Sequence, residues 1–204
     1  MRCVIVLGGD CGALGFEARS DDFIIACDSG YQNAALLGIK PHILLGDMDS
    51  ISTELPIDIS TQVFPVMKDE TDCILAIDEG IRRGCEEFAL LCGFGGRVDH
   101  IIGNLQSLAY LDDKGHRASL HGDREQARII TQSTLKEPYI PGMSLSVFAY
   151  GGIAKGVYLK GVKYPLEDAT LTPNFPLGVS NYIEGQEAEI TVREGRLLIL
   201  RSVL

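Results

Sequence analysis

Asp47-Met48-Asp49 places two carboxylates two residues apart just beyond the apolar run Ile43-Leu44-Leu45. On extended backbone a period of two aims both side chains the same way. Two anions side by side repel, so one takes up a proton unless a cation lies between them. An all-oxygen acidic site suits Mg²⁺, which keeps several waters and also ligates substrate phosphates. The plainer reading of Gly46-Asp-Met-Asp-Ser50 is a turn after a strand, where Asp and Ser are common. Lys68-Asp69-Glu70-Thr71-Asp72 follows. Acids in a first helical turn complement the helix dipole, and Asp69 and Glu70 need no further reason. Lys68 at the same helix start is a phosphate neighbour, and Asp72 can reach the metal that Asp47 and Asp49 would hold. Gly93-Phe-Gly-Gly-Arg-Val-Asp-His100 is the third group. Its backbone N–H groups can cradle an anion at Gly95 and Gly96 while Arg97 forks onto a phosphate, with Asp99 and His100 beside it. The alternative for His100 is a core or helix-capping histidine. His42, His116 and His121 have no partnered spacing and receive no role.

Such groups act together only if a frame brings them to one place. Nearly continuous apolar runs recur at Cys3–Leu7, Phe23–Cys27, Ile43–Leu45 and Phe88–Cys92. Runs without polar alternation mark strands buried on both faces, which belong to parallel sheets covered by helices. Between them the spacing predicts helices: one capped by Thr71, with Cys73, Ile77 and Ile81 on a face and Gly84 at its end; one after Asp99, carrying Ile101, Leu105 and Leu108; and a short one from Tyr31 to Leu37. The fold class is therefore α/β, an open parallel sheet flanked by helices. Each strand ends in the candidate groups: Gly8-Gly9-Asp10, Asp28-Ser29-Gly30, the Asp47 segment and the Gly93 segment. Open α/β sheets bind ligands at that rim. Past about residue 120 prolines are frequent and short β-patterned segments replace the helical periods. The expected division is 1–122, an α/β nucleotide- and metal-binding domain, and 123–204, a small antiparallel β-sandwich. Within the second, Glu189–Val192, Glu194-Gly195 and Arg196–Leu200 predict a hairpin.

The 204 residues suit one domain or two small ones, and 46% hydrophobic with 23% charged residues is globular composition. The net charge of −10 gives no long-range attraction to nucleic acid or anionic membrane, so neither is expected as a partner. Phosphates must then be handled locally, by a metal ion or a few placed cations. The six cysteines show no C-x-x-C pair; reduced core thiols and a cytoplasmic setting are expected. The apolar run in MRCVIVLGGD is too short for a signal peptide, and no stretch is long enough to predict a membrane span.

With these residues together, the chain resembles the thiamine pyrophosphokinase (thiamine diphosphokinase) family over nearly its whole length. The resemblance rests on the order and spacing of Cys27-Asp-Ser-Gly30, Gly46-Asp-Met-Asp-Ser50, Lys68-Asp-Glu-Thr-Asp72, Gly95-Gly-Arg-Val-Asp-His100 with Asn104-Leu105, Gly161-Val-Lys-Tyr-Pro-Leu166 and Val179-Ser-Asn181. It implies an N-terminal α/β domain, a C-terminal thiamine-binding β-sandwich, and a homodimer with sites between subunits. The implied reaction moves the pyrophosphoryl group of ATP to the thiamine hydroxyl and releases AMP. Carried over, the resemblance puts Asp28, Asp47, Asp49 and Asp72 around Mg²⁺ and the polyphosphate; the strand-end reading sets Gly8 and Gly9 on the same rim as nucleotide-binding candidates. Arg97, Asp99 and His100 fall at the nucleotide, Lys68 at its phosphates, and Ser180, Asn181 and Tyr164 at thiamine. The family often carries Gly or Ala where Ser29 stands, Phe where Met48 stands and sometimes Trp where Tyr164 stands. With no Trp in the chain, stacking on thiamine falls to Tyr or Phe. The alternatives are a related pyrophosphokinase acting on a pterin-like alcohol, a metal-dependent phosphoesterase that activates water with the same acids, and a non-catalytic nucleotide-binding module. Ser180-Asn181 and Tyr164 favour thiamine over the pterin.

Overall fold

The computed structural model describes residues 1–46, 60–63 and 71–204. They divide into two compact units, Met1–Arg124 and Glu125–Leu204. The elements of the first unit are β1 (Arg2–Val6), β2 (Phe23–Cys27), α1 (Gly30–Leu36), β3 (Ile43–Gly46), β4 (Ser60–Val63), α2 (Asp72–Arg82), β5 (Glu87–Leu91), α3 (Val98–Asp113) and β6 (Arg117–His121). Among the described residues its strands form one parallel sheet in the order β6-β5-β1-β2-β3-β4. The chain leaves β1 toward β2 and later returns to β1's other side as β5, so the strand order reverses at β1. Ligands of open α/β sheets bind at such a reversal.

Both faces of this sheet are covered, which is why its central strands are nearly continuous apolar runs. Val4, Val6, Ala26, Leu44, Ala89 and Leu91 share a buried cluster with Ala34 of α1. Residues of the opposite parity meet α2: a Cβ at Gly80 would lie 2.9 Å from Cys3 Sγ and 2.8 Å from the Phe88 ring. Gly80 thus lets the helix lie close against the sheet. α2 buries Cys73, Ala76, Ile77 and Gly80, a helical stripe, and the Thr71 hydroxyl caps it by accepting from Ile74 N at 3.3 Å. Gly84 follows α2 at φ +80°, the left-handed stop that glycine supplies.

The second unit holds β7 (Glu125–Thr131), β8 (Thr134–Pro138), β9 (Met143–Ala149), β10 (Ala154–Lys160), β11 (Leu166–Leu171), β12 (Gly178–Asn181), β13 (Glu187–Thr191) and β14 (Arg196–Val203). Its strands pair antiparallel as β12-β9-β14-β7 and as β11-β10-β13-β8. Leu145, Val147, Leu197 and Ile199 from the first group pack with Val157, Leu159, Ala188 and Ile190 from the second in one buried cluster, the interior of a sandwich.

Two sequence expectations change here. The segment 187–200 is not a hairpin: β13 pairs with β10 and β8, whereas β14 pairs with β7 and β9. The turn at Glu194-Gly195 carries the chain from one sheet to the other. Both strands turn alternate apolar residues toward the same interior, and that period is identical for a hairpin and for a corner between sheets. The sequence also passed over β4 and β6, whose Ser60-Thr-Gln-Val63 and Arg117-Ala-Ser-Leu-His121 lack apolar runs. All six cysteines are free thiols, and all but Cys11 are buried.

Candidate active site

The carboxyl ends of β1, β2 and β5 open into a cleft of about 620 Å³ walled entirely by the first unit. Three turns build it. After β1, the N–H groups of Leu7, Gly9 and Asp10 donate to Leu91 O, Cys92 O and Phe94 O at 2.9, 3.0 and 2.9 Å, continuing the β1–β5 contact past both strands. Glycine is required at position 9: a Cβ there would lie 2.4 Å from Cys92 O and 2.5 Å from Phe94 O. After β2, Asp28 sits at φ +45° with its N–H on Leu45 O at 3.0 Å, which turns the chain out of the sheet and into α1. After β5, Gly95 and Gly96 take φ +81° and +65° and deliver the chain to the start of α3. The Asn104 side chain, one turn and a half into α3, donates back to Gly93 O at 2.8 Å and holds this turn against its own helix.

Gly8, Gly9, Asp28, Asp72, Gly95, Gly96, Arg97, Asp99 and His100 all line this one cleft. Asp28 and Asp72 arrive from separate elements; the Cys27 thiol donates to Asp72 O at 3.6 Å and ties the start of α2 to the end of β2. Asp47, Asp49 and Lys68 lie outside the described residues. A Cβ at Gly46, the residue before Asp47, would stand 1.6 Å from Asp28 Oδ1, so the backbone at Gly46 packs directly against the Asp28 carboxylate.

Charge in the cleft is arranged around α3. Arg97, the residue before the helix, donates to Asp99 through Nε at 3.1 Å and Nη2 at 2.5 Å, and Asp99 Oδ1 also accepts from His100 N at 3.0 Å. The hydrogen bond from Arg97, outweighing burial and reinforced by its charge and by His100, holds the Asp99 carboxyl below its usual range; the same pairing raises Arg97. Both side chains are exposed, at 73% and 61%, so the guanidinium can leave Asp99 for an anion without a large desolvation loss. Burial pushes the Cys73 thiol, also in the cleft wall, up to about 11. It is therefore neutral near pH 7 and no nucleophile.

In the second unit, Tyr164, Ser180 and Asn181 come together. Asn181 is buried; its Oδ1 accepts from Tyr164 N at 3.0 Å and Tyr182 N at 2.9 Å, and its Nδ2 donates to Tyr164 O at 2.7 Å. Ser180 has φ +57°, is exposed, and donates its N–H to Ser146 Oγ at 3.0 Å. Tyr164 is 57% exposed. The Lys163 ammonium lies 5.5 Å from the Tyr164 ring centre and 5.7 Å from that of Tyr182, a pair of aromatic faces that accept a cation.

Sequence reasoning missed Asn33, and it quoted Asn104 only as part of a motif, without a role. Both are asparagines inside a helix that follows a strand-end turn, and Asn is a poor helix former unless its amide serves another segment; that is the signal that was available.

Residues 17–120 match the thiamin pyrophosphokinase catalytic domain, and residues 130–197 match the thiamin pyrophosphokinase vitamin B1 binding domain. The chain belongs to the thiamine pyrophosphokinase family. Among relatives, the thiamine pyrophosphokinase of Bacillus subtilis is 26% identical over 87% of this chain and 86% of its own. Its crystal structure superposes with a TM-score of 0.89 at 24% identity, covering all of both chains. The thiamin pyrophosphokinase of Geobacillus thermodenitrificans gives a TM-score of 0.85 at 24% identity, covering 100% of this chain and 98% of the other. These likenesses show a shared fold. In this thiamine pyrophosphokinase family member, the catalytic-domain match spans the cleft-lining residues from Cys27 onward, and the B1-binding match spans Tyr164, Ser180 and Asn181.

Proposed function

We propose that this chain transfers the pyrophosphoryl group of ATP to the hydroxyl of thiamine, giving thiamine diphosphate and AMP. The observation that carries the reading is the convergence of Asp28, Asp72 and two glycine turns on one cleft, in a chain whose second half matches a vitamin B1 binding domain. The donor set fits Mg²⁺. Asp28 and Asp72 offer carboxylate oxygens, the ligands a hard cation prefers, and Gly46, the residue before Asp47, packs against Asp28. Among the described residues alone no cluster of three such ligands forms, so the proposal needs Asp47 or Asp49 to complete the set.

Bound by these aspartates, Mg²⁺ would neutralise charge on the β- and γ-phosphates. The chain's own groups do the rest. Backbone amides at Gly95, Gly96 and the start of α3 donate to phosphate oxygens, where the helix dipole adds positive potential. Arg97, released from Asp99, forks onto a phosphate, and Lys68 adds a second cation. The thiamine hydroxyl attacks the β-phosphorus in line, AMP leaves from the opposite side, and the hydroxyl proton passes to a carboxylate oxygen of Asp72 or Asp49. Positioning and charge neutralisation dominate such transfers. Asn181 fixes the peptide of Tyr164, so that ring and Ser180 are set for thiamine; the positive thiazolium suits the aromatic faces that now hold the Lys163 ammonium. The reading extends to a cytoplasmic homodimer whose α/β domain (1–122) binds nucleotide and metal and whose β domain (123–204) binds thiamine. No helix among the described residues is long and apolar enough to cross a membrane.

Incubating the protein with ATP, Mg²⁺ and thiamine tests the proposal. It predicts AMP and thiamine diphosphate in equal amounts, with AMP absent when thiamine is omitted. ADP, or hydrolysis indifferent to thiamine, overturns it.

A further inference from the structure

We propose that Asn33 is a positioning residue that presents the Gly8 amide to a phosphate in the cleft; this rests on the nucleotide reading above and names a further determinant of it. Asn33 lies in α1, and its Nδ2 donates to two backbone carbonyls at once, Leu7 O at 2.8 Å and Gly9 O at 2.9 Å. Two carbonyl oxygens two residues apart thus converge on one side-chain amide. No peptide bond in the described chain is cis. The peptide that sends Leu7 O toward Asn33 therefore sends the Gly8 N–H the opposite way.

The neighbouring amides are all engaged, since Leu7, Gly9 and Asp10 donate to the β5 side. Among the described residues no acceptor takes the Gly8 N–H, and Gly8 lines the cleft. A Cβ on Gly8 would lie 2.1 Å from Ser29 Oγ, so a side chain here would displace that hydroxyl. Glycine leaves the backbone open to close approach, as where amides face phosphates. Asn33 has the further effect of drawing two carbonyl dipoles out of a space meant for a polyanion. Without its donors those oxygens are free to turn toward the cleft, where they repel phosphate.

The test compares the wild-type protein with Asn33→Asp, which keeps the shape and replaces the donor by an acceptor. The readouts are direct titration with a non-hydrolysable ATP analogue, KM for ATP and for thiamine separately, and thermal melting. Loss of one charge-assisted amide contact predicts nucleotide Kd and KM raised about 10- to 100-fold, with KM for thiamine unchanged. A residue that only stabilises the fold would lower the melting temperature and leave nucleotide affinity alone; that result overturns the proposal, as does an equal rise in both KM values. Should Asn33→Asp not fold, Asn33→Ser, which retains one short donor, is predicted to show an intermediate nucleotide Kd, and wild-type affinity there refutes the role. The two readings fail separately. A wild-type protein that binds ATP but makes no AMP with thiamine refutes the activity while the Kd comparison still decides Asn33; a wild-type protein that binds no ATP refutes both.

Discussion

Replacing Gly46 by alanine should disable the site without touching a functional side chain. Gly46 closes β3 at φ +149°, and its Cα lies under the Asp28 carboxylate. An added Cβ would stand 1.6 Å from Oδ1 and 2.6 Å from Cγ, whereas Cβ contacts below 3.0 Å are essentially never seen. The carboxylate must therefore retreat by about 1.4 Å, the difference between those two distances, or the chain leading to Asp47 must move instead. Either way Asp28 and Gly46 separate, and a misplacement of about 1 Å at a reacting centre lowers rates about 10²-fold. AMP release from ATP with saturating thiamine should fall by about that factor, and the Mg²⁺ concentration for half-maximal rate should rise. The unfavourable backbone angle adds roughly 1–3 kcal/mol of destabilisation, so melting is measured alongside. Gly38→Ala is the control: Gly38 has φ +68° with nothing within 4 Å of its Cβ position, which imposes a positive backbone angle on alanine with no clash near the cleft. A Gly46→Ala protein that is destabilised like Gly38→Ala yet keeps the wild-type rate and Mg²⁺ dependence would refute the placement of Asp28 at the metal.

Arg97→Ala should raise KM for ATP about 10- to 100-fold, the loss of hydrogen bonds to a charged group, while Asp99→Asn, which releases Arg97 from its partner, should not; steady-state kinetics at fixed ionic strength distinguishes them. Asp47→Asn and Asp49→Asn should each cut kcat at least ~10²-fold, and turnover near wild type in both would remove them from the site. Asp22 is buried against Arg2, whose Nε and Nη2 donate to it at 2.8 and 2.6 Å. Burial pushes its carboxyl upward, but the hydrogen bonds from Arg2 and the Arg19 N–H outweigh that and hold it below its usual range. A pKa depressed by folding means the pair's contribution is complete above about pH 4 and is lost as pH falls through the lowered value. Asp22→Asn, which strands a buried guanidinium, should remove about 3–5 kcal/mol near pH 7 and flatten the acid limb of the stability profile. Coincident wild-type and variant melting curves from pH 3 to pH 7 would contradict this.

The first unit was largely legible because its strands are buried on both faces. Cys3–Leu7, Phe23–Cys27 and Phe88–Cys92 carry no polar residue, and each run falls on a parallel strand whose carboxyl end meets the cleft. Thr71 and Gly84 bracket α2 as their side-chain chemistry dictates. β4 and β6 escaped notice because their sequences are polar and short; hydrogen bonding to a parallel neighbour, not composition, makes them strands. The corner at Glu194-Gly195 was unreadable for a different reason, since a two-residue period says which face is buried and not which strand is the partner. At the site, Asp28, Asp72 and the glycine turns announce themselves by residue type. Asn33 does not, because its value lies in carbonyls supplied by another segment. Asn181 was expected at thiamine; the structure engages its amide with Tyr164 and Tyr182.

The most direct measurement is an anomalous-scattering map from crystals grown with Mn²⁺ and a non-hydrolysable ATP analogue. The account predicts a metal peak bonded to carboxylate oxygens of Asp28 or Asp72 together with Asp47 or Asp49, and phosphate density against the amides of Gly8, Gly95 and Gly96. A metal and nucleotide seated elsewhere, with both Asp28 and Asp72 out of coordinating reach, would contradict it.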